Sequence, residues 1–189
     1  MTAADIIQNR RSAYPAQFTG EIIPRETIEA ILDSARYAPT HRLTQPWRFT
    51  VFSGAGRLVF ATAWAEAYKQ HAGDAFAQTQ YDKMMAKPLS CSHIISIGMK
   101  RHHIVPEFEE IAAVSCAVQN MMISASDLGV GGYWSTGGYP FFEDFKHFFQ
   151  LEDDDRLLGF LMMGVPKKLP LPPRLRHEIE SFTSWVDGQ

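Results

Sequence analysis

The sequence predicts one domain in which helices and strands are mixed, and three observations predict it. The chain has 189 residues, 46% hydrophobic and 21% charged, enough for a single domain that buries roughly 70% of its unfolded surface without disulfides or metal. Several segments place apolar residues at helical spacing, most strongly over 108–128. Between them lie short apolar or alternating runs of strand length, at 47–53, 93–99 and 157–165. There are no repeats, low-complexity tracts or long linkers, so residues 1–189 are expected to form one domain.

Taken in order, Thr2-Ala3-Ala4-Asp5 has the form of a helix start, and Ile6 and Ile7 begin an apolar face that ends near Arg10-Arg11-Ser12. Pro24 sits at a first helical position, after which Ile28, Ile31, Leu32 and Ala35 keep helical spacing until Pro39. Residues 40–46 read as loop. Over 47–53, Trp47, Phe49 and Val51 alternate with Arg48, Thr50 and Phe52, bounded by Gly54 and Gly56, the pattern of a strand. A helix follows over 57–72, then an ambiguous polar segment at 74–88, read as a second helix or a mobile lid, and a buried strand at 93–99.

Ile111, Val114, Ala117, Val118, Met121, Met122 and Ala125 mark the wide apolar face of a central helix, which Gly129, Gly131 and Gly132 end. Tyr133-Trp134 begins a short extended piece, and Pro140 opens a Phe-rich helix with Phe141, Phe142, Phe145, Phe148 and Phe149. The continuous apolar run 157–165, closed by Pro166, reads as an interior strand. From Lys167 the chain carries Pro170, Pro172 and Pro173, which forbid a helix until they are passed. An irregular tail of this length is expected to lie on a partner subunit.

The charge balance narrows the function classes. Eighteen basic against 21 acidic residues leave −3, with no dense basic stripe, so nucleic acid is not an expected partner, whereas a local pocket for one phosphate remains open. No run of 18 apolar residues exists to cross a membrane. Two cysteines without an apolar leader fit the cytoplasm, and Cys116, on the apolar helix, is expected in the core. Arg101-His102-His103 lacks a third ligand at sensible spacing, so no metal is expected. Residues 152–155, all acidic, read as a solvated loop, and Glu109 and Glu110 as complements to the positive end of the long helix.

Four stretches concentrate groups that could carry chemistry. Arg10-Arg11-Ser12 sets two guanidinium groups beside a hydroxyl, a cluster able to hold a phosphate, although paired arginines at a helix end also complement its dipole. In an extended chain Arg174 and Arg176 point the same way, and two such pairs could converge on one dianion. The loop Ala38-Pro39-Thr40-His41-Arg42-Leu43-Thr44-Gln45-Pro46 gathers His, Arg and Gln between a helix and a strand. Val130-Gly131-Gly132-Tyr133-Trp134-Ser135-Thr136-Gly137 offers backbone N–H groups beside aromatic bulk, without the spacing of a dinucleotide fingerprint.

Arg-Arg-Ser near the amino terminus, Ala38-Pro39 through Gln45-Pro46-Trp47, the Gly-rich Trp turn after the long helix, and Leu158-Gly159-Phe160-Leu161-Met162-Met163-Gly164-Val165-Pro166 together resemble the FMN-dependent nitroreductase family, in its short branch, over nearly the whole chain. The resemblance implies an α+β fold, a three-layer sandwich whose central sheet is mixed but mostly antiparallel and flanked by helices. It also implies a homodimer with FMN at the subunit interface and the tail 167–189 on the partner. By that likeness Arg10, Arg11 and Ser12 hold the flavin phosphate or ribityl chain, Trp134, Ser135, Thr136 and Gly137 line its ring, and Arg174 and Arg176 close on the phosphate. His41 approaches the flavin from the same or the neighbouring subunit, with Gln45 near it, and His41 and Thr136 are the catalytic candidates.

Three positions depart from the pattern of many members: Tyr14 replaces a Lys or Arg, Leu43 an Asn and Thr136 a Glu. These changes remove one positive charge, one amide and one carboxylate. The implied activity is an NAD(P)H oxidoreductase that reduces nitro compounds, quinones or related electrophiles by ping-pong hydride transfer, with nicotinamide and a small-molecule acceptor taking one open site in turn. The alternative is a flavin-binding carrier or regulator without turnover.

Overall fold

The computed structural model of the chain describes residues 2–136, 142–169, 171, 172 and 175–188. Of the residues singled out above, Gly137, Pro140, Phe141, Pro170, Pro173 and Arg174 lie outside these.

Helix α1 (Ala3–Asn9) begins where Thr2 directs it: the Thr2 hydroxyl accepts the Asp5 N–H, and the Asp5 carboxylate accepts the Thr2 N–H at 2.7 Å. Helix α2 (Arg25–Ser34) starts just after Pro24 and passes into a 3₁₀ turn at Ala35–Tyr37 before Pro39. Helix α3 (Gly56–Ala72) follows strand β1 (Trp47–Ser53). The ambiguous segment resolves as helix α4 (Gln78–Leu89), packed against α3. Strand β2 (His93–Met99), the long helix α5 (Glu107–Asp127), strand β3 (Gly131–Ser135), the short helix α6 (Phe142–Phe145) with a 3₁₀ continuation, and strand β4 (Arg156–Gly164) complete the order.

The four strands form one antiparallel sheet in the order β1-β2-β4-β3, and the parallel pairing among the described residues is a lone bridge, Ser12 to Gly132. Both central strands are buried on two faces, which is why their sequences read as unbroken apolar runs. Alternation along each strand then divides the side chains between two cores. Ile94, Phe160 and Met162 join Phe60, Trp64, Met84, Phe145 and Phe149 beneath α3, α4 and α6. Ile95, Ile97, Met99, Leu161 and Met163 join Ile28, Ile31, Val114, Val118 and Met121 beneath α2 and α5. This is the three-layer α+β sandwich.

Four expectations need correction. Phe52 and Val51 exchange roles: with helices on both faces of the sheet, Phe52 packs beneath α3, while Val51 on the edge strand is 37% exposed. Cys116 is exposed, because the buried stripe of α5 runs through Val114, Ala117, Val118 and Met121 and turns residue 116 outward. Cys91 is the buried thiol, pushed up to about 12 by burial, so it is no nucleophile at neutral pH. Asp155 is not solvated: it is buried and accepts the N–H groups of Arg101 and Glu152, at 2.8 and 3.0 Å. Glu110 does more than complement a dipole, since it is buried against the Arg101 guanidinium and accepts from His102 Nδ1 at 2.9 Å. Among the described residues no His, Cys, Asp and Glu cluster could hold a metal, and no helix is long and apolar enough to cross a membrane.

The buried His93 makes one prediction about stability. Its Nδ1 lies 2.9 Å from the Ser92 hydroxyl, which also accepts the Ile23 N–H. Burial, and then the nearby Arg57 cation, hold its pKa below the ordinary 6.5. The unfolded chain therefore takes up the proton first, and stability falls as pH drops below about 6.5, levelling once the folded-state value is passed. Urea unfolding at stepped pH should show this slope, and His93→Gln should flatten it. An unchanged slope in the variant would refute the assignment.

Candidate functional site

The amino-terminal cluster is assembled by backbone geometry. α1 ends at Arg10, whose N–H bonds back to Ile6, and the chain then runs extended along the edge of the sheet. Ser12 bridges to Gly132 and the Ala13 N–H donates to the Gly132 carbonyl at 3.1 Å, so the chain passes hard against β3. That approach requires glycine at 131, where a Cβ would stand 2.8 Å from the Ala13 Cβ. Arg10, Arg11, Ser12 and Tyr14 are thereby set around a cavity of about 280 Å³, and Arg176 of the tail closes it.

Among the described residues no carboxylate lines this cavity. Arg10 Nη1 and Arg11 Nε are buried without a hydrogen-bond partner among the described residues, and the Arg10 guanidinium is held below its usual range by burial, then by Arg176, then by Arg11. Converging guanidinium groups with unmatched donors repel one another and lose hydration, a cost that an anion with several acceptor oxygens would offset. The donor set fits a phosphate monoester: Arg donates in a planar fork, and Ser12 adds a neutral donor. The two basic clusters noted in the sequence thus meet in the structure, through Arg176.

A further cation stands behind this cavity and was not singled out from the sequence. Tyr14, which lines the cavity, packs on Tyr133 with ring centroids 4.6 Å apart, and Lys87 Nζ sits 4.9 Å from the Tyr133 centroid. Lys87 is half-buried, burial lowers its pKa, and it has no ion-pair partner among the described residues. Where Tyr14 removes a positive charge, α4 brings one back from 73 residues along the chain. A single lysine in a polar helix has no local signal. What could have marked it is its place beside the buried Met84 and Pro88.

The Trp turn is more structural than expected. Trp134 donates through Nε1 to the Leu158 carbonyl at 3.0 Å and packs on the α5 side of the sheet, and Ser135 is buried. Thr136, at the end of β3, is exposed.

The His41 loop lies elsewhere. It closes as a 3₁₀ turn in which Arg42 and Leu43 have φ of 51° and 56°, and Gln45 follows at 44°, three non-glycine residues in the left-handed region. The Thr40 hydroxyl pins the turn, 2.9 Å from the Thr44 hydroxyl and accepting the Gln45 N–H at 3.1 Å. His41 Nδ1 lies 2.5 Å from Glu109 Oε2, in the first turn of α5, and Gln45 is exposed. Arg11, by contrast, shares a second cavity with Ser126 and Asp127 at the far end of α5. At a rise of 1.5 Å per residue, Glu109 and Ser126 are about 26 Å apart. Within one chain, therefore, His41 meets one end of α5 and Arg11 the other.

Comparison with known proteins gives this geometry a context. A family model described as the Nitroreductase family matches residues 7–165. Over 169 residues the chain is 30% identical to YdjA of Escherichia coli (strain K12), which carries the name of an NAD(P)H nitroreductase, covering 88% of this chain and 90% of that one. Similarity to YfhC of Bacillus subtilis (strain 168), named in the same way, is 27% over 167 residues, covering 88% and 85%. Among solved structures, a nitroreductase-like family protein from Bacillus cereus superposes with a TM-score of 0.85 at 23% identity, over 100% of this chain and 97% of that one. The FMN-dependent nitroreductase NfnB from Mycobacterium smegmatis, solved in complex with NADPH, superposes with a TM-score of 0.77 at 18% identity, over 98% of each chain. At these identities the solved structures establish a shared fold.

Proposed function

The chain belongs to the nitroreductase family, and from that membership we propose that it is an NAD(P)H-dependent oxidoreductase that uses FMN, one per subunit, to reduce nitro compounds, quinones or related electrophiles. The observation that carries this reading is the cavity where Arg10, Arg11 and Arg176 converge with a buried, unpartnered Arg10 Nη1. Those residues and Ser12 would hold the FMN phosphate, with Arg174 beside Arg176 in sequence. FMN, when bound, supplies the hydride chemistry, and the protein supplies placement and electrostatics. Lys87, behind Tyr14 and Tyr133, places a positive charge next to the site in a half-dry environment where it acts strongly.

The 26 Å separation across α5 supports a homodimer. In a two-fold assembly with the long helices antiparallel, His41 and Gln45 of one copy approach the Arg10 cluster of the other, and each of two equivalent sites is completed by both chains. The exposed Phe108, Ala112, Cys116 and Gln119 form a continuous stripe along α5 for that contact. The tail adds Leu175, Phe182, Trp185 and Val186, 72 to 96% exposed, as apolar surface for the same partner. Thr136, exposed at the end of β3, and His41 would then flank one open face that nicotinamide and acceptor occupy in turn.

Purified protein should be yellow, bleach anaerobically with NADH or NADPH, regain colour with a nitroaromatic or quinone, and give parallel double-reciprocal plots. A flavin that neither nicotinamide bleaches would favour a carrier. Mixing subunits tests the shared site directly. Arg10→Ala and His41→Ala proteins, each impaired alone, should recover roughly a quarter of wild-type sites after subunit exchange, because half of the dimers are mixed and each mixed dimer keeps one intact site. No recovery would mean that each site is built within one chain.

A further inference from the structure

We infer that Glu109 is a positioning residue: it fixes which ring nitrogen of His41 faces the cofactor site of the second copy. The inference rests on the shared-site reading above, and its geometry is carried by this chain alone. An ionised carboxylate only accepts hydrogen bonds, so the 2.5 Å contact with Glu109 Oε2 assigns the proton to His41 Nδ1. Nε2 is then the nitrogen left open: the His41 side chain is 55% exposed, and no described residue bonds to Nε2. A neutral His41 presents an acceptor at Nε2, and a protonated His41 presents a donor there, so Glu109 decides what the ring offers to a neighbour in each state.

Both ends of the contact are held firmly. On the histidine side, the turn keeps Arg42, Leu43 and Gln45 at positive φ under the clamp of the Thr40 hydroxyl. Three left-handed non-glycine residues among four positions cost free energy that a plain surface turn does not need, and such strain collects where orientation matters. On the acidic side, the backbone of Glu109 is fixed by its neighbour Glu110, which is buried against Arg101 and His102. A solvent-facing ion pair that served stability alone would gain little from either constraint.

The test begins on protein without flavin, by ¹⁵N NMR of the His41 ring at a pH where it is neutral. Wild type should show the Nδ1–H tautomer, Glu109→Gln should keep it because the amide oxygen still accepts, and Glu109→Ala should lose it. FMN affinity, read by quenching of flavin fluorescence, should then fall roughly 5–10-fold in Glu109→Ala, the effect of one hydrogen bond. It should fall no further when Glu109→Ala is added to His41→Ala, since the carboxylate acts through the ring. An Nε2–H tautomer in wild type, unchanged affinity in Glu109→Ala, or an equal loss in the His41→Ala background would each overturn the positioning role. A protein that takes up no FMN would instead refute the functional reading, while the tautomer measurement would still decide whether Glu109 orients the ring.

Discussion

Arg10→Ala is expected to raise the Kd for FMN roughly 10–100-fold, the loss of a charge-assisted hydrogen bond worth about 1.5–3 kcal/mol. Its distinguishing mark is the behaviour of the protein without ligand. Arg10 is partly buried, its Nη1 has no partner among the described residues, and Arg176 and Arg11 crowd it with like charge. Removing the guanidinium relieves that repulsion, so the flavin-free protein should be as stable as wild type or more stable, while affinity falls. A residue kept for structure would behave in the opposite way. Arg176→Ala should show the same pair of effects, because it faces the same cavity and contributes the first charge-based shift on Arg10. Flavin titration and thermal unfolding of the flavin-free variants measure both. Unchanged affinity, or a destabilised flavin-free protein, would remove these arginines from the proposed phosphate site.

Glu110→Ala is expected to cost about 3–5 kcal/mol of unfolding free energy, since breaking a buried ion pair strands the surviving charge. Glu110 is 1% exposed, and the Arg101 side chain it meets is 15% exposed. It also accepts the His102 N–H at 3.2 Å and His102 Nδ1 at 2.9 Å, so the substitution leaves several donors unmatched at once. Among the described residues, Arg101 would keep the Val105 carbonyl, at 3.0 Å, as the one acceptor for its guanidinium. Glu110→Gln retains an acceptor and should cost less. Urea unfolding with the two variants side by side gives the comparison, and a loss below about 1 kcal/mol in Glu110→Ala would show that water reaches Arg101 and replaces the carboxylate. The first turn of α5 also carries Glu109, so Glu110→Ala should loosen the His41 contact as well.

Much of the fold was legible in the sequence because its elements are locally consistent. β1 and β2 run over the residues that alternation and apolar continuity indicate, α3 and α5 begin and end within a residue or two of their periodic patterns, and Thr2 caps α1 as a capping box should. Errors fell where one periodic face had to be chosen. Cys116 lies beside the buried Ala117 in sequence but about 100° away around the helix, and the apolar richness of α5 hid that rotation. Asp155 and Glu110 looked like surface acids because their partners, Arg101 and His102, lie in a different segment of the chain.

The sequence by itself determined the family, the order of helices and strands, and the Arg10-Arg11-Ser12 cluster, since each rests on neighbouring residues, on periodicity or on motifs in register. Tertiary structure alone decided that Arg176 joins Arg10 and Arg11 around one cavity, that Lys87 stands behind Tyr14, and that Glu109 takes His41 Nδ1. It also decided that His41 stands at one end of α5 and the arginines at the other. The reason is that a helix converts sequence distance into a fixed length while a sheet brings remote segments side by side, so the distances between groups far apart in sequence follow from packing and not from composition or spacing.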